Sequence, residues 1–170
     1  QSPVPLEVNV AAALPLVVIM EKGAEAAEAL NVTEIFYNRV TDHIRNQPDA
    51  DLCRMVPILV DHAGSKDEFT MKTAIDWIKE FVVLGRERLL TQYADILAAI
   101  LPCTAHAGNL APQIQEAAFA TNKVLLTMVN ETDVDFEIEE ICTTLTGVLN
   151  DEKVDTRLAS MQWFNMLLEK

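Results

Sequence analysis

Three histidines and three cysteines are the residues whose chemistry admits metal binding or nucleophilic attack, and Cys103 and His106 stand three apart. On a helix that spacing puts a thiol and an imidazole on one face, where they could share a metal ion. No further His or Cys lies near them in sequence, so a closed four-ligand site is not assembled locally. Asp61 beside His62 has the composition of an acid–base pair, yet consecutive helix residues point apart. Adjacent acids such as Glu139 and Glu140 read as a solvated face rather than a catalytic dyad. His43, His62 and His106 read as partly exposed helix residues. There is no glycine-rich phosphate loop, no H-E-x-x-H and no C-x-x-C. The expectation is a non-enzymatic chain with no catalytic residues, no metal and no cofactor.

Composition points the same way. Half of the 170 residues are apolar, only 6% are aromatic and there are five glycines, a profile that suits packed helices. Against 26 acids stand 13 bases, for a net charge of −13. Phosphate backbones and anionic lipid surfaces both require clustered Lys and Arg, so nucleic acid is excluded as a partner and a membrane is reached only indirectly. Cys53, Cys103 and Cys142 fall inside helical patterns at spacings that fit no disulfide framework, and the simplest compartment is a reducing, cytoplasmic one. The apolar run 8–20 is shorter than the ~20 residues a bilayer crossing needs, and it lacks a basic leader. The sequons at Asn31 and Asn130 are therefore expected to stay unmodified.

The elements that must position these residues are helices. Over 69–104, Met71, Ala74, Ile75, Ile78, Phe81 and Val82 follow helical spacing, and the pattern restarts at Leu89, Tyr93, Ile96, Leu97 and Ile100. Ser65 and Glu68 predict a capping box ahead of the first helix, and Gly85 predicts a left-handed cap behind it. Two helices so joined are expected to lie antiparallel with their stripes against each other. Trp77, Val83 and Leu84 widen the first stripe, so further helices must cover it. The same spacing predicts helices over 8–20 with Pro15 inside, 24–46, 50–63 with Pro57 inside, 112–129, 136–149 and 154–170.

These helices recur. Trp77 and Trp163 are 86 residues apart with Ala120 midway, and the same 43-residue step relates Ala74, Ala117 and Ser160, and also Phe81, Val124 and Leu167. On the alternate helices Pro15, Pro57, Pro102 and Gly147 recur at similar steps. A two-helix unit of about 40–47 residues is the mark of HEAT and armadillo arrays, and a proline interrupting the first helix favours HEAT. Asp151, Asp155 and Arg157, opening the last helix, resemble the Asp/Arg feature of HEAT second helices, which the other repeats match poorly. The expected fold is all-α, a HEAT-type α-solenoid of four antiparallel helix pairs over 8–46, 50–84, 89–130 and 134–170, in a single segment of a longer array. Its second helices are expected to line one wall. At the 43-residue step Lys79, Asn122 and Asn165 form one polar row there, and Asp76, Phe119 and Gln162 a second. One reading makes these a partner-binding groove with Phe119 as an aromatic anchor. The plainer and favoured one makes them solvent positions, with Phe119 folded into the core. Arg86 and Arg88, a basic pair between helices, are a further candidate contact for an acidic partner.

At KTAIDWIKEF, Gly85-Arg86, ILPC, MVPILVDHA, QIQEAAFATNKVLLTMV and TRLASMQWFNMLLEK the chain resembles the vacuolar HEAT scaffold family called ArPIKfyve, the associated regulator of the PIKfyve lipid kinase. The likeness covers most of the chain beyond residue 34 and rests on fold-determining residues. Relatives carry a longer acidic insertion where this chain has only residues 131–135. The resemblance implies a non-catalytic scaffold, peripheral on endolysosomal or vacuolar membranes, that holds a PIKfyve-type lipid kinase and a Sac-domain phosphoinositide phosphatase together to control phosphatidylinositol 3,5-bisphosphate. It also implies self-association through a region outside this segment. The alternative is a HEAT or armadillo adaptor of an unrelated transport or phosphatase assembly, and beyond that an enzyme whose site is not visible in the sequence.

Overall fold

A computed structural model describes residues 52–170, together with Asp42 and Asn46, and the helices expected over 8–20 and 24–46 lie outside the described residues. Within Leu52–Lys170 there are six α-helices and no strand: α1 (Leu52–Ala63), α2 (Glu68–Gly85), α3 (Tyr93–Ile100), α4 (Ala111–Glu131), α5 (Ile138–Val148) and α6 (Val154–Glu169). Short 3-10 segments at Arg86–Gln92 and Leu101–Ala105 flank α3.

The apolar spacing explains each helix. In α1, Leu52, Met55, Val56, Leu59 and Ala63 are buried on one side, while Pro57 sits on the exposed face. The backbone bond that the proline removes is thus lost where water can replace it. The start of α2 departs from expectation. Its cap is Asp67, whose Oδ2 accepts from the Thr70 amide at 2.8 Å and the Thr70 hydroxyl at 2.6 Å. Ser65 instead accepts from the Asp67 amide at 3.1 Å, and Glu68 is turned to another helix.

Helices α1, α3 and α5 pack side by side in one layer, and α2, α4 and α6 in a second. Across the layers α1 faces α2, α3 faces α4 and α5 faces α6. This two-layer, all-helical arrangement is consistent with an α-solenoid. It corrects the reading of 69–104, in which α2 and α3 were expected to bury their stripes against each other. Helix α2 packs chiefly on α1 and α4, and α3 on α1, α4 and α5. Nearness in sequence misleads because the link 86–92 crosses from one layer to the other.

That crossing explains a second correction. Gly85 has ordinary helical angles (φ −82°, ψ −30°), and the left-handed residue is Arg86, at φ 47°. The glycine is needed for space: a Cβ there would lie 2.8 Å from Leu52 Cδ1 and 2.9 Å from Leu89 Cδ1. The Tyr93 hydroxyl donates to the Arg86 carbonyl at 3.1 Å and braces the turn. Burial pushes that phenol up to about 12, so it remains a donor across the neutral range. After α3, Pro102 supplies no backbone N–H, and the chain tightens into the 3-10 segment that packs against both α4 and α6.

Leu52 and Leu89 are themselves buried, at 2% and 0% exposure. A methyl at Gly85 therefore overpacks a filled corner, which costs about 1–3 kcal/mol. That exceeds the roughly 1 kcal/mol by which alanine outranks glycine in a helix. Gly85→Ala is expected to lower unfolding free energy in a denaturant titration, and Gly85→Val to lower it further.

Candidate functional site

Polar groups join successive helix pairs at fixed places. Glu68, the first residue of α2, reaches the loop before α4. There its Oε2 accepts from the amides of Asn109 at 3.0 Å and Leu110 at 3.2 Å, and its Oε1 lies 2.8 Å from His106 Nε2. Gly108 leaves the room for this, since a Cβ there would sit 1.9 Å from Glu68 Oε1. Gln115 completes the knot by donating to the His106 carbonyl at 2.7 Å. The His106 hydrogen bond, followed by those of Leu110 and Asn109, holds the Glu68 carboxyl below its ordinary value of 4.5. Further along, the Thr132 hydroxyl donates to Glu87 Oε1 at 3.0 Å, Lys153 Nζ donates to the Ala105 carbonyl at 2.7 Å, and Lys170 Nζ donates to the carbonyls of Asn130 and Thr132.

None of this is catalytic geometry. His106 faces Glu68, whereas the Cys103 thiol is buried and donates to the Ala99 carbonyl at 3.3 Å. Burial pushes that thiol up to about 11, which keeps it protonated and unreactive at neutral pH. Among the described residues, no group of three His, Cys, Asp or Glu side chains is placed to hold a metal ion.

The sequence-derived binding residues are dispersed. Asp76 accepts from Lys72 Nζ at 2.6 Å on the surface of α2, and Lys79 is half-buried one turn on. Phe119 is 46% exposed, so the reading that folds it into the core is corrected, whereas Gln162 and Asn165 lie exposed on α6. Asn122 breaks its row. It is 3% exposed, and its Oδ1 accepts the Trp163 indole N–H at 2.7 Å, because a fully buried indole needs an acceptor inside the core. Arg86 and Arg88 are exposed, and Arg88 also reaches the Leu84 carbonyl at 3.4 Å.

One surface was not legible beforehand. Between α3 and α5 lies a groove of about 540 Å³ with Leu90, Ala94 and Ile141 in its floor and Glu87, Asp135, Glu137 and Glu140 around it. No Lys or Arg lines it. The acidic link 131–135 was visible in the sequence, but its meeting with α3 was not. The Glu68 clasp was likewise hidden, because S-x-x-E has a sufficient local reading.

Comparison with known proteins places this geometry. Over 127 residues, 75% of the chain, it is 41% identical to a protein of Arabidopsis thaliana named Protein VAC14 homolog. Over 131 residues, 69% of the chain, it is 21% identical to the Protein VAC14 homolog of Schizosaccharomyces pombe. These matches support the Vac14 family. The chain spans only 17% and 16% of the length of those two relatives. No family model and no solved structure matches it. Among the described residues, no helix is long and apolar enough to cross a membrane.

A carboxylate held below its unfolded value stabilises the fold above that value and stops doing so as pH falls through the folded one. The stability gap between the wild type and Glu68→Gln should be present at neutral pH and close below pH 4.5, read from thermal melts across pH. Asn122→Leu leaves the Trp163 N–H buried and unpaired, and should cost about 1–3 kcal/mol in the same assay.

Proposed function

We propose that this chain is a stretch of a HEAT-type array in a Vac14-family scaffold, and that the scaffold has no catalytic role of its own. The carrying observation is the 41% identity to Protein VAC14 homolog over three quarters of the chain. The two-layer packing of α1 to α6 supports it, since stacked helix pairs build an extended surface without enclosing a reaction site. The array comprises four repeats over 8–46, 50–84, 89–130 and 134–170, in one continuous segment. Its partners are a PIKfyve-type lipid kinase and a Sac-domain phosphoinositide phosphatase. By binding both at once it raises the effective concentration of each near the other, and so regulates phosphatidylinositol 3,5-bisphosphate on endolysosomal or vacuolar membranes. Self-association uses regions beyond these residues.

Partner contact falls on the second-helix rows, at half-buried Asp76 and Lys79 and at exposed Phe119, Gln162 and Asn165, with Arg86 and Arg88 at the adjoining turn. Phe119 is the anchor, because a half-exposed aromatic ring offers the largest apolar area to a partner at little ordering cost. Asn122 contributes only by fixing Trp163.

Affinity capture with the full-length protein tests the reading. Both the kinase and the phosphatase should be retained, and Phe119→Asp should weaken retention of at least one by about tenfold with an unchanged melting profile. Retention of neither would remove the scaffold assignment in favour of an unrelated adaptor. Turnover of phosphoinositides by the purified chain alone would remove the non-catalytic reading.

A further inference from the structure

The groove between α3 and α5 belongs to the first-helix layer and shares no residue with the second-helix rows. On α5 and its cap, Glu137, Glu140, Ile141 and Thr144 fall at i, i+3, i+4 and i+7, which puts them on one face. Thr91, Ala94 and Asp95 face them from around the start of α3. The floor is apolar and not fully closed. Leu90 and Ala94 keep 8% and 9% exposure, whereas Ile96 and Leu97 on α3 keep none. Val134, 45% exposed, and half-buried Phe136 add apolar surface from the preceding link. The space of about 540 Å³ runs on into another of about 560 Å³, which shares Ala94, Glu137 and Glu140 and adds Asp95 and Glu139. With Glu87 and Asp135, six carboxylates border one trough, and no Lys or Arg lines either part. Among the described residues none of the six is in an ion pair, and Glu87 is held by the Thr132 hydroxyl at 3.0 Å.

Acids near a helix start are ordinary, because they complement its dipole, and Asp95, Glu139 and Glu140 stand at such places. That accounts for each helix separately. It does not account for two such starts and Asp135 meeting over one apolar floor, where like charges repel and no base relieves them. We propose that the trough is a docking site for a Lys/Arg-rich amphipathic helix of a protein partner. Charge complementarity identifies the occupant: a ligand that covers Leu90, Ala94 and Ile141 must set cations against Glu87 and Asp95 on one edge and Glu137 and Glu140 on the other. A helix suits the shape, since it lies between two helices as a third with its i, i+3, i+4, i+7 stripe in the floor. The eight residues of α3 span about 12 Å, so about two to three turns of the ligand fill the trough. Nucleic acid and anionic lipid are repelled by the same carboxylates. This docking is independent of which proteins the second-helix rows engage.

The test reads the fluorescence anisotropy of a labelled synthetic helix of about four turns, with leucine at i, i+3, i+4 and i+7 and lysine elsewhere, against the full-length protein. The wild type should bind this probe. Glu137→Lys combined with Glu140→Lys should weaken binding at least about tenfold. Thr91→Trp, which fills the trough from an exposed position without altering charge, should do the same. Glu116→Lys combined with Glu152→Lys makes the same change in net charge at exposed positions outside the trough, and should stay within about twofold of wild type. Equal weakening by the two charge reversals would overturn the proposal, since it reduces binding to attraction by net charge. So would a wild type that fails to bind the probe, or a lysine helix without the leucine stripe that binds as tightly. Undiminished binding by Thr91→Trp would also overturn it, and that variant decides the matter should the reversal on α5 lower the melting profile. Self-association that is lost in Thr91→Trp would instead assign the trough to a second copy of the chain, against the proposal.

Discussion

Each helix pair in this chain carries more apolar surface than its own two helices can cover, and the rest of the architecture answers that surplus. Helix α2 packs on both α1 and α4, and Ile75, Ile78 and Val82 are at 0% exposure between them and its own backbone. Helix α4 repeats the arrangement: Asn122 meets Trp163 of α6, and Ala118 and Leu125, on the same helical face as Asn122, are at 0% exposure. A stack of this kind is held by contacts between neighbours, and no central core is shared by all its members.

Apolar burial is non-directional and does not by itself settle how one pair is set against the next. Hydrogen bonds at the junctions do. Glu68 reaches the loop before α4, Glu87 meets Thr132, Lys153 meets the Ala105 carbonyl, and Trp163 is received by Asn122. The neutral Trp163–Asn122 bond contributes only about 0.5–1.5 kcal/mol, but a mis-set junction would leave several polar groups unpaired at once. Arg86 adds a geometric constraint of the same kind, since its left-handed backbone redirects the chain between layers at one position.

The helices were legible in the sequence because their apolar spacing is regular, and α1 to α6 fall within a few residues of the periodic segments. What was not legible depends on contacts some forty residues apart. Gly85 looked like a left-handed cap because it follows an apolar run, whereas the glycine is required by the side chains of Leu52 and Leu89. Glu68 looked like half of a local capping box, and it serves a different helix. Among the candidate contact residues, the 43-residue step put Asn122 and Asn165 in one polar row. It could not tell which of them had a neighbour: Asn122 is 3% exposed and Asn165 lies at the surface.

Most of the junction bonds share an asymmetry. Glu68 binds amide nitrogens, and Lys153 and Lys170 bind carbonyl oxygens, so one half of each tie belongs to the main chain whatever side chain stands there. Positions 105, 109, 110 and 130 can therefore change identity while the tie persists, whereas a change at Glu68 or Lys153 removes it outright. A lineage built this way can drift far in sequence at its loops and retain the setting of one helix pair on the next. Divergence in such a chain is filtered by which side of a contact a residue occupies, and a loop of unfamiliar composition is no sign that the junction beneath it has moved.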